Sequence, residues 1–89
     1  MARVQVYTTT TCPFCVRAKR LLEARGIPYD DIDLSRDDQL RASVMRRSGR
    51  RTVPQIFIDG NAIGGYVELA ALDTSGELDQ LRTRGGHAG

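Results

Sequence analysis

Cys12 and Cys15 are the only cysteines in this chain, and they stand where a strand-like run gives way to a helix-like one. Before them lies Val4-Gln5-Val6-Tyr7-Thr8, alternating and rich in β-branched residues; after Cys12 comes Pro13. Two cysteines two residues apart at such a turn form either a redox element or part of a metal site. A structural zinc centre needs four Cys or His ligands, and the chain has two Cys and one His, His87, which lies in a Gly-rich stretch. The composition thereby speaks against zinc held within one chain. A static disulfide or two inert buried thiols is the bland alternative, and Pro13 weakens it. Proline suits the first turn of a helix, where its missing N–H costs nothing. Cys12 then sits at the helix N-terminus, where unpaired N–H groups and the helix dipole favour a thiolate. Cys15 follows one turn later on the same side, within reach of a mixed disulfide on Cys12. The pattern predicts dithiol redox chemistry.

Eighty-nine residues, 40% hydrophobic and 27% charged, make one soluble globular domain with a modest core. A net charge of +2 does not imply nucleic acid, although twelve of the thirteen basic residues are Arg. No run is long enough for a signal peptide or a membrane span. One CxxC in such a chain points to catalysis in a reducing, cytoplasmic setting.

Residues 3–8 read as the first strand. Residues 13–25 read as a helix with Cys15, Ala18, Leu21 and Leu22 on its inner face, ended by Gly26 and Pro28. Residues 29–34 are a weaker, acidic strand suited to a sheet edge. Ser35, with Asp38 three residues on, is the expected N-cap of a second helix that carries Leu40, Val44 and Met45 and stops at Gly49. Arg46, Arg47, Arg50 and Arg51 crowd that stop, either as cations complementing a helix C-terminus or as a basic rim for an anionic substrate or acidic partner. Val53-Pro54-Gln55-Ile56-Phe57-Ile58 is the central strand, with Pro54 confined to its start. Asp59-Gly60 signals a hairpin, and Gly64-Gly65 breaks the returning strand. A helical stretch from Tyr66 is interrupted by Ser75-Gly76, with a turn or two at 77–81. The order is βαβαββα: an α/β fold whose four-stranded mixed sheet is flanked by helices. The expected domain is 1–84, with 85–89 a flexible tail.

Tyr7-Thr8 before Cys12-Pro13-Phe14-Cys15, then Thr52-Val53-Pro54-Gln55-Ile56-Phe57, then Gly64-Gly65-Tyr66, in that order and spacing, resemble the glutaredoxins, in particular their short bacterial dithiol form. The resemblance covers nearly the whole chain. It implies a thioredoxin fold and glutathione-dependent thiol–disulfide exchange, with glutathione as co-substrate and no permanently bound cofactor or metal. Cys12 would attack and Cys15 would resolve protein disulfides. The Val53–Pro54 peptide would be cis, and the Val53 backbone would pair with the cysteinyl part of glutathione. Thr11, Phe14, Thr52 and Pro54 would line the site, and Gly65, Tyr66 and Val67 would hold the γ-glutamyl carboxylate on backbone N–H groups. Arg41 falls where the family places an Arg or Gln near the glycine carboxylate. Partners would be glutathione and disulfide-containing or glutathionylated proteins, not nucleic acid or membrane, met by a monomer.

Three departures from the family pattern stand out. Thr9 replaces a Lys three residues before the first Cys, Phe14 stands where Tyr is common, and Val67-Glu68 replace Asp, Ser or Thr. Two rival readings follow. One is a glutaredoxin-like electron donor reduced by thioredoxin reductase, against which Arg41 and Gly64-Gly65 speak, since such a donor needs no carboxylate pocket. The other is a dimer holding a [2Fe–2S] cluster between two Cys12 thiolates and two glutathiones, against which Pro13 speaks.

Overall fold

The structure, a computed structural model, describes residues 3–10 and 12–86, with the side chains beyond Leu81 left aside. Eight elements follow in order: β1 (Val4–Thr8), α1 (Pro13–Ala24), β2 (Asp30–Asp33), α2 (Asp38–Ser48), β3 (Gln55–Ile58), β4 (Asn61–Gly64), α3 (Tyr66–Ser75) and α4 (Glu77–Gly86). The sheet order is β2-β1-β3-β4. β1 runs parallel to β2 and antiparallel to β3, and β3 runs antiparallel to β4. This is the mixed four-stranded α/β sheet expected, with the acidic strand at an edge.

Burial on both faces of the sheet explains why β1 does not keep a simple alternation. Val4 and Val6 point to one side and join Ala18, Leu22, Ile27, Ile56, Leu69, Leu78 and Leu81, a core shared by α1, α3 and α4. Tyr7 points to the other side, with Leu34, Val44 and Phe57 beneath α2. Tyr7 and Phe57 meet edge to face, centroids 5.4 Å apart, an arrangement aromatic pairs favour. Both central strands, β1 and β3, thus contribute to both layers.

Three details differ from expectation. Asp37, not Ser35, caps α2: its carboxylate accepts the Leu40 N–H at 2.9 Å. Ser35 instead accepts the Thr10 N–H at 3.0 Å, tying the β2–α2 loop to the turn before Cys12. At the C-terminus Gly76, with φ 85°, separates α3 from a ten-residue α4 rather than from a turn or two. Its helix runs through Gly86, past the boundary expected at 84; residues 87–89, His87 included, lie outside the described residues. Among the described residues no helix is long and apolar enough to cross a membrane.

Candidate active site

α1 begins at Pro13, and Cys12 is its N-cap, with φ −106° and ψ 112°. The Cys12 carbonyl accepts the Cys15 and Val16 N–H groups at 3.1 and 3.3 Å, closing the first helical turn. The proline at N1 therefore does what the sequence suggested: it starts the helix immediately after the sulfur-bearing residue. The Cys12 side chain is half-buried, and Sγ lies 3.4 Å from the Val53 carbonyl, to which its S–H donates. The Val53–Pro54 peptide is cis. Gln55, buried at the start of β3, fixes the approach to it by donating from Nε2 to the Thr52 carbonyl at 2.8 Å and to Thr52 Oγ1 at 3.2 Å.

Cys15 is 1% exposed and, like Cys12, a free thiol. Burial pushes its thiol up to about 12, outweighing the Thr9 backbone, which pulls it down; the neighbouring Cys12 adds to the rise and Lys19 opposes it slightly. The two sulfurs are therefore unequal. Cys12 is open to a reactant at a helix N-terminus; Cys15 is a protonated thiol held behind it.

Beside Cys12 lies an open groove of about 220 Å³ lined by Phe14, Thr52, Val53, Pro54, Gly65, Tyr66 and Val67, together with Arg50 and Glu68. Phe14 and Tyr66 form aromatic walls, centroids 6.3 Å apart. Seven residues singled out from the sequence thus converge on one groove. Thr11 lies outside the described residues. Arg41 does not line the groove; it lines a neighbouring concavity with Ala42, Met45, Arg46, Gly49, Arg50 and Arg51. Arg50 belongs to both.

Arg50, read from the sequence as part of a basic rim, and Glu68, read as a departure from the family pattern, were not assigned to the site and line its groove. Glu68 Oε1 accepts the Gly65 N–H at 2.7 Å and Arg50 Nη1 at 2.7 Å. The Gly65 N–H, and beside it the Arg50 guanidinium, hold the Glu68 carboxyl below the usual carboxylate range. An acid at the third position of a helix reaching back to the N-cap N–H is half of a capping box, and Gly65-x-x-Glu68 was the signal available. The space for it comes from Gly64: at φ 117°, a Cβ there would meet Glu68 Oε1 at 2.3 Å.

The glutaredoxin family pattern matches residues 4–63. Glutaredoxin 3 of Escherichia coli K12 is 48% identical over 81 residues, covering 91% of this chain and 98% of that protein. A probable glutaredoxin of Synechocystis is 49% identical over 81 residues, 90% of this chain and 74% of the other. Among solved structures, a buckwheat glutaredoxin–glutathione complex superposes with a TM-score of 0.86 at 32% identity, covering 96% of this chain and 80% of that one. A dithiolic glutaredoxin of Trypanosoma brucei gives 0.79 at 44% identity, over 89% and 84% of the two chains. With a half-buried cysteine at a helix N-terminus, a buried one a turn later and the groove beside them, these matches place the chain in the glutaredoxin family of glutathione-dependent thiol oxidoreductases.

Proposed function

We propose that Cys12 is the attacking nucleophile and Cys15 the resolving thiol, and that the groove binds glutathione along Thr52-Val53. The observation that carries the reading is Cys12 Sγ at the α1 N-terminus, 3.4 Å from the Val53 carbonyl. A peptide extended beside Val53 finds its backbone partner next to the sulfur it must meet. In the first step Cys12 Sγ attacks a sulfur of the disulfide, the Cys12–S bond forms, the old S–S bond breaks, and the departing thiol takes the electron pair. With a glutathione mixed disulfide on Cys12, a second glutathione thiolate attacks the glutathione sulfur and frees Cys12. With a protein disulfide, Cys15 attacks Cys12 Sγ, the protein thiol leaves, and two glutathiones reduce the resulting Cys12–Cys15 disulfide.

The N-terminus of α3, with the Gly65, Tyr66 and Val67 backbone, suits the γ-glutamyl carboxylate, while Phe14, Thr52, Pro54 and Tyr66 supply the walls. Glu68 sits on the Gly65 N–H in the free protein, so that carboxylate is left with the N–H groups one and two residues further on. The glycine carboxylate would lie toward Arg50, with Arg41 behind it. The site is complete in one chain, which supports a monomer, and a glutathione-rich compartment such as the cytoplasm suits the reaction. Disulfide-containing and glutathionylated proteins are the substrates proposed.

The test is reduction of a small glutathione mixed disulfide, coupled to glutathione and glutathione reductase. Wild type and Cys15→Ser should turn over; Cys12→Ser should not. Loss of activity in folded Cys15→Ser would refute the assignment of Cys12 as sufficient nucleophile.

A further inference from the structure

The concavity next to the groove is walled by Arg41, Arg46, Arg50 and Arg51, with Met45 and Ala42 between them and a volume of about 760 Å³. Of these, Arg50 is neutralised by Glu68. No ion pair forms at Arg41, Arg46 or Arg51 among the described residues, although Arg3, Lys19 and Arg25 each pair with an aspartate. Capping the α2 C-terminus explains a cation or two at Arg46 and Arg47, and Arg47 is taken up over the Phe57 ring, 4.5 Å from its centroid. It does not explain three uncompensated guanidiniums on one hollow, where like charges repel.

Position supplies the reason. Arg51 is two residues before Val53, so at about 3.8 Å per residue its Cα lies within roughly 8 Å of the residue that faces Cys12. A substrate strand running antiparallel to Thr52-Val53 leaves the groove past Arg51 and Arg50 in its own N-to-C direction. Glutathione ends there, at its glycine. A polypeptide substrate continues, and its next residues enter the arginine hollow. We propose that this hollow is a docking surface for an acidic polypeptide segment lying two to four residues C-terminal to the cysteine that Cys12 attacks. It rests on the binding direction proposed above and adds to it a class of protein substrate. Guanidinium forks suit carboxylates for geometry as well as charge, and a concentrated basic field beside the nucleophile raises encounter rates with anionic partners.

The test uses reduced wild-type protein and Arg46→Ser/Arg51→Ser, both substitutions at exposed positions. Each is mixed with peptides whose single cysteine is activated as a 2-pyridyl disulfide. Cys12 attacks the peptide sulfur, the peptide–pyridyl S–S bond breaks, and pyridine-2-thione leaves with the electron pair and is read by absorbance. Three peptides are compared: three Glu C-terminal to the cysteine, the same three Glu N-terminal to it, and three Gln C-terminal. For wild type at low salt the C-terminal Glu peptide should react roughly tenfold faster than the Gln peptide, an advantage erased toward 1 M salt, where screening shortens to about 3 Å. The double variant should lose that advantage and keep the Gln rate. Equal rates for Glu and Gln peptides, equal rates for the two Glu placements, or a variant slowed equally on every peptide would each overturn the docking surface. Absence of thione release with any peptide would overturn the thiol chemistry on which it rests, whereas release without preference overturns the docking surface alone.

Discussion

The resolving step should track the protonation of Cys15. Its thiol is held near 12, chiefly by burial, at 1% exposure. The thiolate is the attacking form, so the rate at which Cys15 displaces a group from Cys12 follows its thiolate fraction. For a group near 12 that fraction is ~10⁻⁴ at about pH 8 and ~10⁻² at about pH 10, a rise of roughly 100-fold; an ordinary thiol near 8.5 would rise only about fourfold over the same interval. Attaching a group to Cys12 alters that sulfur's influence on Cys15 but leaves the burial, the largest cause, in place. The assay is a double-mixing experiment. Reduced protein reacts at about pH 5 with 5,5′-dithiobis(2-nitrobenzoate), which loads Cys12 and releases one thionitrobenzoate; a jump to the final pH lets Cys15 attack Cys12 Sγ and release the second. Log rate should climb close to one unit per pH unit with no plateau below about pH 10. A plateau before about pH 9, with a total rise under tenfold, would refute the claim that burial governs Cys15.

Three further outcomes follow from the same contacts. Burial raises the folded-state value of Cys15 to about 12, and burial of Tyr29 against the main core, with the Glu23 carboxylate beside it, does the same for that phenol. The stability both contribute is intact below the ordinary values of these groups and drains away as pH rises toward 12, so the urea midpoint should fall in that window, less steeply in Cys15→Ala. Glu68 has the opposite sign: its lowered value means a contribution present above the ordinary carboxylate range and lost as pH falls through the folded value, so Glu68→Gln should flatten the acid limb of a denaturation profile. Leu22 is fully buried between α1 and the sheet, and Leu22→Ala should cost about 2–5 kcal/mol in chemical denaturation while leaving the pH dependence of resolution unchanged.

Much of this was readable because local rules and global packing agree. Pro13 after Cys12 defines a helix start from two residues, and the unbroken apolar run Ile56-Phe57-Ile58 announces a strand covered on both faces. What escaped depended on partners distant in the chain. Ser35 and Asp37 are both acceptable caps by composition, and the choice falls to Asp37 because Ser35 is engaged by Thr10, twenty-five residues away. The alternation of residues 4–8 sets Tyr7 on the side opposite Val4 and Val6, and only the arrival of α2 over Phe57 makes that side interior. Arg41 was legible as a cation on α2 near the site but not as one lining the neighbouring hollow, while Arg50 reached the groove through an ion pair eighteen residues off. The length of α4 was hidden by a Gly-rich composition whose helical state is fixed by the docking of Leu78 and Leu81 into the core.

Positions 64 and 68 occupy one volume between them. The space a side chain at 64 would fill already holds the end of Glu68, with Oε1, Cγ and Cδ all within 2.8 Å of where its Cβ would stand. The backbone adds a second constraint: at φ 117° any side chain at 64 is strained even if residue 68 is shortened, so glycine is expected to persist at 64 while the acid at 68 is free to vary in length. A fixed glycine at 64 beside a variable residue at 68, rather than covariation of the pair, is the historical trace that a carboxylate stationed on the α3 N-terminus would leave.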